Sequence, residues 1–575
     1  MTNHGGIKKT KPGNSFDEKI LLITLPFWST LIPSQGPASL KSFLQKYGYK
    51  VKAVDATSEK IFLELYNQYF EILKAVVPRN HQGNFYNIGH DVLRNHMMAY
   101  TNYTDPEEYH RLVSTLVEKT YYYTIDGTVI SKLNSVLMEL FSRIEKFVLD
   151  LLEKETPSLL GLSTNSGNLA STRFAFELTR KEYPQIRTLM GGSVFLNHLA
   201  IGNPDLELFL EKTKSYIDNI IIGKGEILFL KYLEGRLPRS RRIFTQADLN
   251  EDEKNSYTFD IPDLTDYDLQ KYLYLAATGS VGCPFRCSFC NIRTWFGKFF
   301  KKDPIQTVKE MRELQKRHNH RLFFMTDSLL NFVITDISKE IIKRELTIYM
   351  DGYFAVDKEA EDIENTLLWR RGGFYRARLG LESGSQRVLD LMGKKISPEQ
   401  IRTAVSNLAH AGIKTTTYWV IGHPEETEQD FQQTLDLVEE LKNDIWQAEC
   451  NPFTYFYLGQ GNSEKWKNKR MLLYPQETRG MLDSQTWVLD CQPSRQETYK
   501  RMNRFVEHCN KLGIPNPYLL DEIYKADERW RKLHKNAVPS ILEIVNHSVD
   551  FSERKKVKKF LPLQTKYDEE EDFDF

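Results

Sequence analysis

Thr278-Gly279-Ser280-Val281-Gly282-Cys283-Pro284-Phe285-Arg286-Cys287-Ser288-Phe289-Cys290-Asn291 gathers three of the chain's six cysteines into one loop, spaced C-x3-C-x2-C. Soft thiolates at this spacing select an iron–sulfur cluster or zinc over hard cations. A closed zinc site takes four protein ligands, and no histidine lies between Gly279 and Arg317 to complete one. A [4Fe–4S] cluster has four irons, so three cysteines leave one iron open to a small molecule. A disulfide framework belongs to short secreted chains, not to 575 residues with six cysteines.

The totals set the wider bounds. A length of 575 residues suggests about three to four domains. With 41% hydrophobic and 27% charged residues the composition is that of a globular protein. A formal net charge of zero gives no global field for nucleic acid or an anionic membrane, so neither is an expected partner. Met1 to Glu18 is polar and Gly/Lys-rich, without the apolar centre of a signal peptide, and reads as a flexible start. No run of about 18 apolar residues suggests a membrane span. Free thiols and an oxygen-sensitive type of site point to the cytoplasm.

Upstream of the cysteines, Lys19 to Pro26 is a continuous apolar run, the mark of a parallel strand buried on both faces. Gly36 to Leu44 has helical spacing and stops at Gly48, and Val51 to Asp55 is a second strand, which together make a β-α-β unit. Further strands are expected at 158–164, 187–193 and 217–222. They end in Ser163-Thr164, in Gly191-Gly192-Ser193, and in the turn Gly223-Lys224-Gly225-Glu226. Small residues at the carboxyl ends of parallel strands let a ligand approach the backbone. The same glycines also suit tight turns in a flavodoxin-like sheet that binds nothing.

Downstream, strands are expected at 272–280, 321–327, 346–353, 375–381, 414–421 and 446–455, with helices between them. Asp303-Pro304-Ile305-Gln306 and Ser397-Pro398-Glu399-Gln400 each offer an N-cap, a proline at N1 and a glutamine at N3. Six such β/α units make a partial barrel, whose chemistry belongs at the carboxyl ends of the strands. The cysteine loop follows the first of them.

The cysteine spacing, with an aromatic residue before the last cysteine, resembles the radical S-adenosylmethionine (SAM) superfamily. The resemblance implies that Cys283, Cys287 and Cys290 hold a [4Fe–4S] cluster whose open iron chelates SAM, and that Phe289 lies against the adenine. Reductive cleavage would then give methionine and a 5′-deoxyadenosyl radical. Gly380-Leu381-Glu382-Ser383-Gly384-Ser385 resembles the G-x-E-S-G-S pattern of B12-dependent members. It implies that Glu382 accepts hydrogen bonds from the SAM ribose, with Ser383 and Gly384 beside it; a plain helix cap is the alternative for Glu382. Gly422-His423-Pro424-Glu425-Glu426-Thr427 is similar to the family's fifth-strand motif and implies that the Gly422 backbone lies near adenine. Asp327 stands where the family often has paired aspartates, but Ser328 follows it.

In order, the strand leading into Gly36-Pro37-Ala38, the Ser163-Thr164 strand, the Gly191-Gly192 strand and the Gly225-Glu226 turn resemble the cobalamin-binding domain of these enzymes, the class B methyltransferases among them. The resemblance implies cobalamin contacts at Ser163, Thr164, Gly191, Gly192, Gly225 and Glu226. No D-x-H-x-x-G motif is present, so no histidine is expected on the lower face of cobalt. The expected fold is α/β: a doubly wound, Rossmann-like cobalamin-binding sheet at 19–234, a linker at 235–267, a partial (β/α)6 radical SAM barrel at 268–461, and a helical C-terminal region at 462–566. An acidic tail follows at 567–575. An insertion at about 57–154 is rich in tyrosine and ends in an amphipathic helix from Leu133 to Leu152; core packing and a substrate-facing lid are its two readings. The arginines of the linker suit solvent or phosphate.

The reading that follows is a cobalamin-dependent radical SAM enzyme that methylates an unactivated carbon of a small-molecule or peptide substrate, reduced by a carrier such as flavodoxin or ferredoxin. Ring contraction or cyclisation with the same cofactors is the alternative, and a non-catalytic corrinoid sensor a more remote one. RNA methylthiolation would call for an N-terminal domain with three cysteines of its own, and no cysteine precedes Cys283. Phe453 to Gly461 departs from the proline-rich turn that often shapes the substrate side of the barrel. Cys450, Cys491 and Cys509 are too dispersed for a second cluster motif and read as structural.

Overall fold

The computed structural model describes residues 18–27, 31–256, 260–461, 463–515 and 520–559. The polar N-terminal segment to residue 17 and the acidic run from 567 lie outside the described residues.

Six parallel strands form the first sheet: β1 (Lys19–Thr24), β2 (Lys50–Asp55), β3 (Leu159–Ser163), β4 (Arg187–Gly191), β5 (Asn219–Ile221) and β6 (Ile243–Phe244), in the order β2-β1-β3-β4-β5-β6. Ile20 to Ile23 are almost wholly buried, as a strand covered on both faces requires. The strand order reverses between β1 and β3, the switch point where open α/β sheets bind ligands. The segment expected as a linker is corrected in one respect: 243–244 pair with β5 and extend the sheet. Its arginines serve the fold, Arg242 reaching the Leu210 and Ile217 carbonyls and Arg241 pairing with Asp248.

Between β2 and β3 the insertion folds into helices 60–76, 79–82, 85–102, 106–121 and 127–155. Asp105 and Asp126 cap the last two by accepting from backbone N–H groups of the first turn. The apolar stripe of 127–155 is buried from Ile130 to Leu152, so core packing explains that helix. The helix 85–102 also reaches the second sheet, where Asn84, its N-cap, donates to the Cys450 carbonyl at 2.7 Å.

The second sheet holds β7 (Leu275–Ala277), β10 (Leu322–Met325), β11 (Tyr349–Phe354), β12 (Phe374–Glu382), β13 (Lys414–Ile421) and β14 (Gln447–Pro452). Each is parallel to the one before and the edges are β7 and β14, the order of an open six-stranded barrel. Between β7 and β10, β8 (Ser280–Val281) and β9 (Phe300–Lys301) pair antiparallel around the cysteine loop. Ser397 and Gln400 form a full capping box, whereas Asp303 caps its helix alone and Gln306 turns to Glu310 instead.

One face of this sheet carries a buried ionic row. Arg378 grips Asp351 with two hydrogen bonds, 2.6 and 2.9 Å, and Arg376 approaches the same carboxylate at 3.7 Å. The amino end of the sheet is closed by helix 520–533, where Asp527 pairs with Lys414 at 2.5 Å and the Trp530 indole donates to the Gly412 carbonyl at 3.1 Å. Strands β15 (Arg470–Leu472) and β16 (Trp487–Leu489) pair beside the main sheets.

Candidate functional site

Three neighbours hold the cysteine loop. From the end of β10, Asp327 accepts the Gly279 N–H at 2.9 Å and the Ser280 hydroxyl at 2.6 Å. From helix 386–392, the Met392 carbonyl accepts the Ser288 N–H at 2.8 Å and the Leu391 carbonyl accepts its hydroxyl at 3.1 Å. From the segment after β14, Gln460 donates to the Phe289 carbonyl at 2.8 Å, and the Gly459 carbonyl accepts from Thr294 at 2.9 Å. Asp327 thus braces the loop, with burial pushing its carboxyl up to about 6. The departure at 453–461 has a structural use as well: it laces over the cysteines.

Cys283, Cys287 and Cys290 are half-buried free thiols. Burial raises Cys287, and pushes Cys290 up to about 11, so in a neutral protein they become thiolates only on a cation. Among the described residues, no three His, Cys, Asp or Glu side chains converge into a group that could hold a metal ion. A single tetrahedral zinc, with Zn–S of about 2.3 Å, would draw its thiolates to within about 4 Å of one another. A polynuclear cluster instead takes each cysteine on a separate iron.

Glu382 ends β12 in the left-handed region, φ +69°, where the register with β13 slips. Its Oε1 accepts from Lys394 at 2.9 Å, and both side chains are largely buried. Burial works against the Lys394 charge, yet Glu382 and the neighbouring Cys287 raise its pKa above the ordinary lysine value. Gly380 makes room for the pair: a Cβ there would stand 2.5 Å from Glu382 Oε1 and 3.2 Å from Lys394 Nζ. No sequence pattern singled out Lys394. Glu382, Lys394, Cys287 and Cys290 lie within electrostatic reach of one another.

The other motif residues tie loops down. Gly384 N–H donates to Thr434 at 2.9 Å, and Ser383 Oγ lies 3.3 Å from the same hydroxyl. Gly422, at φ +79°, gives its N–H to Glu426 at 2.9 Å and lies so close to helix 495–511 that a Cβ would meet Thr498. Burial, partly offset by Gly422 and Arg501, pushes Glu426 up to about 7.

A cavity of about 260 Å³ runs beside the first sheet between helices 35–45 and 225–233. Ser163, Gly191, Gly192, Gly225 and Glu226 line it, with an apolar floor that includes Leu22, Leu189 and Ile221. Thr164 does not line it. Its N–H donates to the Gly191 carbonyl at 2.8 Å, and its own carbonyl would lie 2.2 Å from a Cβ on Gly192, which adopts φ +118°. Only glycine fits there.

A second cavity, about 370 Å³, opens between the two sheets. It is walled by the loops after β3 and β4, the insertion helix 85–102, residues 454–457 and residues 485–487. Here Asp91 pairs with Arg94 at 2.7 Å and accepts the Tyr474 hydroxyl at 2.8 Å. Arg94 donates to His198 Nε2 at 2.8 Å, which puts the ring proton on Nδ1. Burial, helped by Arg94, lowers His90 to about 4 and drives His198 well below its usual range. With one ion pair and two neutral imidazoles, the cavity carries no net charge. None of these residues formed a motif in the sequence, and only the fold brings them together.

Comparison with known proteins places this geometry. The family model of the radical SAM superfamily matches residues 278–438. The anaerobic magnesium-protoporphyrin IX monomethyl ester cyclase of Rubrivivax gelatinosus is 24% identical over 317 residues, covering 50% of this chain and 55% of that protein. An uncharacterized methyltransferase of Pyrococcus horikoshii is 24% identical over 331 residues, covering 53% and 68%. The match thus spans about half the length of the first of these relatives. The radical SAM methyltransferase TsrM of Kitasatospora setae, solved with tryptophan and a SAM analogue, shares the fold at 11% identity with a TM-score of 0.57, over 92% of this chain and 98% of that one. The same protein with cobalamin and a [4Fe–4S] cluster gives a TM-score of 0.55. Residues 278–438 therefore match the family model of the radical SAM superfamily and form a radical SAM domain within a fold shared with TsrM.

Proposed function

We propose that this protein is a cobalamin-dependent radical SAM enzyme that methylates an unactivated carbon. The observation that carries the reading is the cavity along the first sheet, walled by small residues at the strand ends, in a chain whose second sheet carries the three cysteines just after its first strand. It suits a buried nucleotide tail, since most of its wall is glycine and apolar side chains, with Ser163, Lys224 and Glu226 as its polar members. Cys283, Cys287 and Cys290 would hold the cluster, and Glu382 would meet the SAM ribose. Bound there, the cluster and SAM supply one-electron cleavage and cobalamin carries the methyl group.

The chain's own share is placement. Asp327, Met392 and Gln460 hold the cysteine loop in register with the barrel. Lys394 fixes the Glu382 carboxylate before a ligand arrives. The second cavity, walled by the insertion helix 85–102 and by 454–457, would give the substrate a site between the two sheets. At about 370 Å³ it is at the small end of ligand sites, which favours a small molecule or one residue of a peptide.

The experiment is anaerobic turnover with SAM carrying a deuterated methyl group. Methylation uses one SAM for radical cleavage and one to reload cobalt, so 5′-deoxyadenosine and S-adenosylhomocysteine should form in about equal amounts and the label should enter the product. Substrate-dependent 5′-deoxyadenosine without S-adenosylhomocysteine or label would instead favour a non-methylating cyclisation, the reading to which the cyclase relative lends support.

A further inference from the structure

We propose that Gln485 selects the substrate, and that it selects an uncharged flat ring bearing an N–H and a C=O side by side on one edge, as in a primary carboxamide or a lactam. The inference rests on the reading of the second cavity as the substrate site. Gln485 is 3% exposed and lines that cavity. Among the described residues, neither its amide oxygen nor its amide nitrogen has a hydrogen-bond partner. Buried polar groups are almost always paired, so a wall residue with both ends unused leaves a donor and an acceptor for a ligand to satisfy.

The polar groups around it are already engaged. The Gln485 backbone N–H donates to Asp205 Oδ2 at 2.9 Å, and the Thr486 hydroxyl accepts from Arg94 at 3.1 Å. These contacts fix the segment and leave the Gln485 amide alone. Among the cavity's other amides, Asn165 accepts the Gly167 and Asn168 N–H groups at 2.8 and 3.1 Å. Asn203 caps helix 204–213 by accepting the Asp205 N–H at 3.0 Å. Asp91 and Arg94, the charged members of the wall, pair with each other at 2.7 Å. Among the described residues the wall therefore offers one unused amide and no unpaired charge, which suits a neutral ligand.

Amide geometry sets what fits. A glutamine side chain carries an acceptor and an N–H donor next to each other, and it binds an adjacent donor and acceptor through two hydrogen bonds, as it does on adenine. A primary carboxamide or a lactam presents that edge. A trans secondary amide points its N–H and C=O in opposite directions and engages only one of the two. A carboxylate has two acceptors and no donor, so one of them would face the glutamine carbonyl. The ring follows from the aromatic part of the wall, where Tyr457 and Trp487 have centroids 4.8 Å apart and Phe456 adjoins them in sequence. A volume of about 370 Å³ admits a ligand of this size.

The test uses the full chain, loaded anaerobically with cluster and cobalamin, and reads affinity by ligand-observed saturation-transfer NMR. Benzamide and 2-pyridone are the probes; they carry the edge as a carboxamide and as a lactam, and the tighter of them names the form. Wild type should bind that probe more tightly than N-methylbenzamide or benzoate. Q485L should weaken it by at least about tenfold, the worth of two ordinary hydrogen bonds, and leave the cobalamin content unchanged. Q485E turns the donor into a second acceptor, so it should lose the amide probe and gain benzamidine, whose two N–H groups match a carboxylate. A merely structural glutamine would not exchange one preference for the other. Benzoate bound as tightly as the amide probes, amide binding unchanged in Q485L, or cobalamin lost in that variant overturns the proposal. Should Q485L fail to fold, the wild-type ranking and the exchange in Q485E decide. Protein that takes up no cobalamin yet ranks the probes as stated would count against the methyltransferase reading and leave the role of Gln485 standing.

Discussion

Lys394 shows how a single side chain prepares the site. It reaches Glu382 at 2.9 Å in a buried setting beside Cys287. A buried charge left without its partner costs about 3–5 kcal/mol, so the two residues depend on each other. Lys394→Met should strand Glu382, lower the melting temperature and weaken SAM binding. Lys394→Met combined with Glu382→Gln removes both charges and should regain much of the stability but not the SAM affinity. A double variant no more stable than the single one would show that the pair is not coupled. Gly380→Ala, which pushes a methyl group against both partners, should weaken SAM binding with the cysteines untouched.

At the scale of an element, the insertion between β2 and β3 holds a polar knot inside a helical core. His96 lies between Tyr69 and Tyr109, each hydroxyl 2.8 Å from a ring nitrogen. Burial lowers His96 to about 3, and likewise holds His423 at about 4. The unfolded imidazole titrates near 6.5. Below that pH the unfolded chain takes up protons that these buried rings refuse, so stability is complete above about pH 6.5 and falls as pH drops toward the folded values. Each such ring contributes up to about 1.4 kcal/mol per pH unit in that window. Thermal melts of wild type should therefore show a falling midpoint from about pH 6.5 to about pH 5. His96→Gln should be less stable at neutral pH but show a shallower fall. An equally steep fall in that variant would mean that His96 is not held neutral. The helix legible in the sequence at 133–152 is found at 127–155, because its apolar period is local. The knot was not legible, since its members come from three different helices.

For the whole molecule, the two sheets are joined by the C-terminal region as well as by the insertion. Asp483, fully buried, accepts from Arg173 of the first domain at 3.0 and 3.1 Å and lies 3.5 Å from Lys212. Burial opposes the Arg173 charge, and Asp483 restores it. Asp483→Asn should leave that guanidinium short of its counter-charge, at a cost of up to about 3–5 kcal/mol. Calorimetry should then split one unfolding transition into two as the domains uncouple. A single transition with an unchanged midpoint would show that Asp483 does not link them. What the sequence by itself determined was what is local or periodic: the apolar runs of β1 and β3, the alternation of strands and helices, the cysteine spacing, and the glycines at strand ends. Chain geometry within a few residues decides these. It could not show that Thr164 turns its backbone to Gly191 instead of lining the cavity, or that 243–244 extend the first sheet. It could not show that Asp91, Arg94, His198 and Thr454–Tyr457 face one another. Those meetings join residues scores to hundreds of positions apart, and only the packing of the two sheets against the insertion decided them.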